Sequence, residues 1–182
     1  MSTIVLIGAS GSGKSTIENE LNNHGFRKIV SYTTREPRDG EKNGKDYWFV
    51  TKDTFKDMLA DGLFAEYEEY SQGRFYGTLK SDYVEGNNVA VLTPNGIRQL
   101  KRNLPNADIY SVLVEANLGT RMLRYINRVG LDKFNFDDKS ELCSRTDRDF
   151  GMFLGMDKEV NLVVDNNYNR NIKDVVSDIL NA

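Results

Sequence analysis

The stretch Gly8-Ala9-Ser10-Gly11-Ser12-Gly13-Lys14-Ser15 has glycine at its first and sixth positions, followed by lysine and a hydroxyl residue. The apolar run Ile4–Ile7 precedes it, and the residues after it, 16–21, are able to open a helix. This is the strand–loop–helix context that a phosphate-binding loop requires. The glycines let backbone N–H groups turn inward around a polyphosphate, and the helix N-terminus adds a positive dipole end.

Each position of this loop has a predicted role toward ATP. Lys14 is placed to reach the β- and γ-phosphates, and the Ser15 hydroxyl to ligate Mg²⁺. A glycine-rich turn without a ligand would not need a lysine and a serine at these two positions. The residues predicted to bind ATP here are Ser10, Gly11, Ser12, Gly13, Lys14, Ser15 and Thr16.

The composition is that of an ordinary globular protein. A chain of 182 residues with 39% apolar and 28% charged residues is expected to form one compact domain with a real core. A formal charge of −3 argues against a broad nucleic-acid or membrane surface. Cys143 is the only cysteine, which excludes an internal disulfide and favours an inert thiol. His24 is the only histidine and is expected at a helix end. With no apparent leader or membrane span, we expect a cytoplasmic monomer or homodimer.

Apolar runs alternate with amphipathic segments, which is typical of an α/β fold with a parallel sheet and helices on both faces. The predicted strands are Ile4–Ile7, Val89–Leu92, Ile109–Val114 and Leu162–Val164. The predicted helices are Lys14–Asn23, Ile97–Asn103 and Ile172–Leu180. These elements assign the core to residues 1–30, 86–118 and 157–182.

Two intervals interrupt this alternation. Residues of about 31–85 are rich in Tyr, Phe, Gly and charge, and are predicted to form a small inserted subdomain of short strands. Trp48, Phe49 and Phe55 are expected to form its aromatic core. Residues of about 119–156 are densely charged, with arginines alternating with aspartates.

The inserted interval carries polar residues suited to a nucleotide monophosphate. Arg35 and Arg38, three positions apart, can clamp one phosphate, and Tyr47 and Tyr76 can donate phenolic hydrogens to the same anion. A carboxylate such as Glu66 can accept two hydrogen bonds from a purine that presents adjacent N–H groups.

The pattern S-x-T-T-R-x-P-R-x-G-E-x-N-G-x-D-Y, which begins at Ser31, resembles the guanylate kinase family, most strongly over residues 4–85. The resemblance implies a P-loop kinase that uses ATP and Mg²⁺ to phosphorylate GMP or dGMP. It implies that Arg35, Arg38, Tyr47 and Tyr76 hold the acceptor phosphate. It also implies that three residues read the guanine base: Ser31, Glu66 and Thr78.

The arginine-rich interval is similar to the family's lid, which closes over the donor phosphates. The alignment is loose because Gly130–Phe136 interrupts the usual arginine spacing. Arg124 or Arg128 is therefore predicted to fill the first lid position, and Arg145 or Arg148 the second, while ordinary salt pairs on a helix surface remain an alternative for each. Asn166 matches a position near the donor adenine.

One stretch departs from the family. Its central strand usually ends in L-D-x-D-x-Q-G, with an aspartate that reaches the base, whereas Val91–Gly96 contains no acid. Guanine discrimination would then depend more on Glu66, and a diverged kinase, such as a phage enzyme acting on deoxyguanylate, fits this pattern. Two alternatives stay open: a kinase of another nucleoside monophosphate or of a sugar phosphate, and a non-catalytic module that binds phosphopeptides.

Overall fold

The computed structural model describes residues 3–70, 73–83 and 86–182. Within these ranges, no helix combines the length and the apolar character that crossing a bilayer requires.

A five-stranded parallel sheet forms the centre of the fold. Its strands are β1 (Thr3–Ile7), β2 (Arg27–Lys28), β7 (Asn88–Val91), β8 (Ile109–Glu115) and β9 (Leu162–Asp165), in the spatial order β2-β7-β1-β8-β9. The four predicted strands are confirmed to within one residue at each end. Strand β2 was not predicted, because two residues are too few to show a strand pattern.

Helices cover both faces of this sheet, as predicted. On one face, α1 (Lys14–Asn23) and α6 (Ile172–Asn181) pack through Ile17, Leu21 and Val176 against the inner strands. On the other face, α3 (Pro94–Asn103) packs through Ile97 and Leu100. Because β1 is covered on both sides, all five of its residues are buried and its sequence shows no alternation.

A second, mixed sheet is built from β3 (Tyr32–Thr33), β4 (Trp48–Phe49), β5 (Phe64–Tyr70) and β6 (Arg74–Leu79), in the order β4-β3-β6-β5. Helix α2 (Lys52–Ala60), capped by the Thr51 hydroxyl, lies between β4 and β5 in the chain. Phe55 lies in the aromatic core of this subdomain, as predicted, whereas Trp48 does not. Phe55 stacks on Phe64 at 4.3 Å and on Phe75 at 5.3 Å between ring centroids, whereas Trp48 is 40% exposed because β4 is an edge strand.

Two further helices connect β8 to β9. Helix α4 (Leu118–Val129) is capped by Asn117, and α5 (Phe136–Phe153) begins with a capping box between Asn135 and Asp138. Cys143 lies on α5 and is exposed. His24 ends α1, with its backbone N–H bonded to the carbonyls of that helix, which agrees with the predicted helix-end role.

Candidate active site

The loop between β1 and α1 runs close to β8 and opens α1 without a side-chain cap. Gly13 caps α1 in the left-handed region at φ 97°, and no side chain caps the helix. A Cβ on Gly8 would lie 2.4 Å from the carbonyl oxygen of Val114, so the loop runs too close to β8 for a larger residue. The Ser12 hydroxyl is buried and makes no hydrogen bond within the described residues. These features are typical of a loop built around a phosphate.

Lys14 points its ammonium back into the loop. Its Nζ donates hydrogen bonds to the carbonyls of Gly8 at 2.6 Å and Ala9 at 3.0 Å. Burial lowers its pKa to about 8, while the charge of Asp149 acts in the opposite direction and that of Arg121 adds to the lowering. The ammonium is therefore a desolvated cation at the loop, where an anionic ligand is favoured.

Helices α4 and α5 reach the loop through an ion pair that sequence reasoning missed. Asp149, 8% exposed, accepts a hydrogen bond from the Ser10 N–H at 2.7 Å and one from Arg121 at 2.9 Å. Arg121 also donates through Nε to the Ser10 carbonyl at 2.9 Å. No local signal marks these two residues within a run of alternating charges, and the loop is distant from both in sequence.

Arg124 and Asn166, both predicted to face the donor, do lie at the loop. Arg124 donates to the carbonyls of Gly11 and Ser12, and to that of Asn166 at 2.9 Å. The Asn166 amide donates to the Ser12 carbonyl at 2.7 Å and is buried. In this arrangement the two side chains hold the outer turn of the loop in place.

The other three candidate arginines make no hydrogen bond to the loop within the described residues, although Arg145 lines a small pocket beside Ser10 and Gly11. Arg128 and Arg145 lie over the ring of Tyr125, at 5.2 and 5.7 Å from its centroid. Burial and the charge of Arg145 lower the pKa of Arg128. Arg148 lies 5.9 Å from the centre of the Tyr70 ring, beside the second sheet. Arg148 therefore lies between α5 and the second sheet. Arg145 forms an ion pair with Glu141 on α5 at 2.6 Å, which is the salt pair on a helix surface that remained an alternative for it.

A cluster of charged and aromatic side chains, the Arg35 cluster, lies just after β3 of the second sheet. The Arg35 guanidinium lies 5.4 Å from the ring of Tyr47, whose ring meets that of Tyr76 edge-on at 5.9 Å. Glu41 accepts from Arg35 at 2.8 and 2.9 Å and from the backbone N–H of Arg38 at 2.8 Å. One carboxylate thus fixes the part of the chain that carries both predicted phosphate-binding arginines.

Glu66 and Thr78 face each other across the paired strands β5 and β6. The Thr78 hydroxyl donates to Glu66 Oε1 at 2.8 Å and shares a hydrogen bond with the Tyr83 hydroxyl at 2.8 Å. Glu66 is 5% exposed, and its burial raises its pKa to about 7, with a further contribution from the charge of Glu68. Ser31, the third predicted base-reading residue, lies next to β3 and is half-buried.

The end of β7 is occupied by a residue pair that the sequence did not reveal. Thr93 caps α3 by accepting from the Gly96 N–H at 2.9 Å, and its hydroxyl donates to Glu68 Oε2 at 2.6 Å. A carboxylate from β5 is therefore brought to this strand end although Val91–Gly96 contains none. The contact was missed because acids that alternate along a strand usually mark a solvated face.

A cavity of about 370 Å³ lies beside the loop, at the carboxyl ends of β8 and β9. Its lining mixes apolar residues with Glu115, Asn117 and Asn167, and Arg121 forms one wall. Cavities in this position are the usual ligand sites of parallel α/β sheets.

Comparison with known proteins places this geometry in a family. Residues 1–135 match the family model of guanylate kinase. A guanylate kinase of Lactobacillus delbrueckii subsp. bulgaricus is 39% identical over 125 residues, which cover 64% of this chain and 60% of that protein. A guanylate kinase of Sus scrofa is 44% identical over 107 residues, covering 54% of each chain. The chain thus spans less than two thirds of the length of either relative.

Among solved structures, a guanylate kinase from Anaplasma phagocytophilum superposes with a TM-score of 0.69 over 99% of this chain and 82% of that one. At 23% sequence identity this likeness concerns the fold alone. It extends through α5 and α6, beyond the residues that the family model matches. Since that model matches most of the sequence, from the phosphate loop through α4, this chain belongs to the guanylate kinase family.

Proposed function

We propose that this chain transfers the γ-phosphoryl group of ATP to the phosphate of GMP or dGMP, giving ADP and GDP or dGDP. One observation carries the proposal: the Arg35 cluster follows β3, and the buried Glu66–Thr78 pair lies on β5 and β6 of the same small sheet. A nucleotide has an anionic end and a base with N–H donors, and this sheet offers a partner for each.

On the donor side, the amides of Ser10–Thr16 and the Lys14 ammonium would hold the β- and γ-phosphates. Lys14 would exchange its bonds to the Gly8 and Ala9 carbonyls for phosphate oxygens, which are better partners for a buried cation. Residues 119–156 would act as the lid. Arg124 would stay near the donor, and Arg128, Arg145 and Arg148 would approach the transferring group when the lid closes.

On the acceptor side, Arg35, Arg38, Tyr47 and Tyr76 would hold the phosphate of the monophosphate. The Glu66 carboxylate would accept from the two adjacent N–H groups of guanine, while the Ser31 and Thr78 hydroxyls complete the base pocket. The paired strands β5 and β6 carry three of these residues, Glu66, Tyr76 and Thr78. The two ends of the nucleotide would therefore be fixed relative to each other.

The chemical step needs no covalent intermediate. An oxygen of the acceptor phosphate bonds to the γ-phosphorus as the bond from that phosphorus to the β,γ-bridging oxygen breaks, and ADP leaves with the electron pair. The residues contribute alignment and cationic stabilisation of the spread negative charge.

The residues also fit a Mg²⁺ ion bound through the nucleotide. The Ser15 side chain is exposed at the start of α1 and makes no hydrogen bond to any described residue. In the part of the chain that the structure describes, no three His, Cys, Asp or Glu residues are grouped to hold a metal. Ser15 would therefore be one ligand, with phosphate oxygens and water as the others. The ion would supply neutralisation of the donor phosphates.

A coupled assay of ADP release with ATP and Mg²⁺ tests the proposal, with GMP, dGMP, AMP, CMP, UMP and dTMP compared as acceptors. We expect turnover with GMP and dGMP alone. A preference for another acceptor would mean that the altered end of β7 redirects specificity, and the guanylate assignment would be wrong. Absence of turnover with every acceptor, combined with tight binding of a phosphopeptide, would favour the binding-module alternative.

A further inference from the structure

Two carboxylates on β5 lie against the beginning of α3. Glu66 and Glu68 are two residues apart, so they point to the same face of the strand. Glu68 Oε2 accepts from the capping hydroxyl of Thr93 at 2.6 Å. A Cβ on Gly96 would lie 2.9 Å from Glu66 Oε2, so this carboxylate reaches the same helical turn. The positive end of the α3 dipole favours both negative charges.

Glu68 has a place in the site but no role in the function proposed above. In the register of the hairpin, Glu66 is opposite Thr78 and Glu68 is opposite Tyr76. Glu68 is therefore one same-face position along β5 from the Glu66–Thr78 pair, on the side of Tyr76 and the Arg35 cluster. It is half-buried, and its Oε1 makes no hydrogen bond to any described residue. One acceptor atom thus remains available for a ligand.

Guanine offers a donor that Glu66 alone leaves unused. Its Watson–Crick edge presents N1–H and one N2–H side by side, and these two match the two oxygens of one carboxylate. The second N2–H points toward the sugar, and hence toward the phosphate end of the nucleotide. We propose that Glu68 Oε1 accepts this second N2–H, and that Glu68 is a specificity-determining residue for purines with a 2-amino group.

This inference rests on the proposed function, and its test separates the two. The purified 182-residue chain is assayed for kcat and KM with GMP and with IMP, which keeps N1–H and O6 but has no amino group. Replacing Glu68 by alanine should raise KM for GMP about tenfold, because one hydrogen bond to a charged group is lost. For IMP, kcat/KM should stay within about twofold of the native value, since IMP makes no such bond.

Glu69 provides the matched control, since it is the next residue on β5, carries the same charge and is exposed on the opposite face. The variant Glu69→Ala should leave kcat and KM unchanged for both GMP and IMP. Adding Thr93→Asp to Glu68→Ala should restore part of the preference for GMP, because aspartate caps a helix as well as threonine does and supplies a carboxylate at the same place. The variant Glu68→Gln, which keeps the bond to Thr93, controls for folding.

An equal loss for GMP and IMP in Glu68→Ala would overturn the inference and leave Glu68 with a purely positional effect. Should the native chain turn over neither nucleotide, the same comparison is made by calorimetric binding of GMP and IMP. In that case the proposed kinase activity fails, while a GMP preference that depends on Glu68 would still support the inference. Binding of neither nucleotide would overturn both.

Discussion

Arg121 and Asp149 form an ion pair of 2.9 Å that is bonded at both ends to Ser10, one residue of the phosphate loop. The Asp149 carboxylate accepts a hydrogen bond from the Ser10 N–H, an amide to which an incoming phosphate could also bind. The Arg121 guanidinium donates a hydrogen bond to the Ser10 carbonyl, and its charge is neutralised by Asp149. An acid on α5 thus occupies part of the site in which we expect the donor phosphates.

Removing this charge should strengthen ATP binding. In Asp149→Asn, the negative charge that opposes the phosphates is gone and Arg121 becomes free to contact them, so we expect ATP to bind about three- to tenfold more tightly. Calorimetric titration with ATP in the absence of acceptor measures this. Asp147→Asn makes the same change of charge at an exposed position of α5 and should have no effect. Weaker ATP binding in Asp149→Asn would show that the contact supports the loop instead of competing with phosphate.

Lys14 is expected to be essential for turnover and dispensable for folding. Its ammonium is bonded only to loop carbonyls among the described residues, and its burial is unfavourable without an anion. Lys14→Ala should lower kcat by about 10²-fold or more, because a preorganised cation at the transferring phosphate is lost. The melting temperature should stay the same or rise. Near-normal turnover in this variant would contradict the proposed mechanism.

The pKa of Glu66 predicts an acidic limb in the pH profile for the acceptor. Because burial raises this pKa to about 7, the carboxyl is protonated below that pH and can no longer accept from two guanine N–H groups. At saturating ATP, kcat/KM for GMP should therefore rise with pH and level off above about 7, as expected for an ionisation in the ATP-bound enzyme before GMP binds. In Glu66→Gln the profile should be lower throughout and lack this limb. An unchanged limb in that variant would assign the ionisation to another group.

The parts of this protein that sequence alone could predict are those fixed by local pattern. The apolar run of β1, the glycines of the loop and the amphipathic face of α6 each determine structure within a few neighbouring residues. Strand β2 and helix α2 were missed because their formation depends on partners elsewhere: Arg27 and Lys28 pair with β7, and Phe55 is fixed by Phe64 and Phe75.

The candidate site also has parts that follow from local sequence and parts that depend on contacts between distant residues. The loop and the Arg35 cluster follow from contiguous motifs, whereas the bond between Asp149 and Ser10 joins residues 139 positions apart. Glu68 and Thr93 meet only because β5 crosses the start of α3. Charged residues of this kind look like surface residues until the fold brings a partner to them.

Glu41 should organise the acceptor site without contacting the chemistry. Its carboxylate joins the Arg35 guanidinium to the backbone of Arg38, and the Arg35 side chain is only 9% exposed. In Glu41→Gln the neutral amide holds Arg35 less firmly, so we expect KM for GMP to rise about tenfold, with kcat and KM for ATP little changed. Glu36→Gln is the matched control, because that exposed acid bonds Arg35 only through its backbone carbonyl. A fall in KM for GMP would instead mean that Glu41 competes with the acceptor phosphate for Arg35.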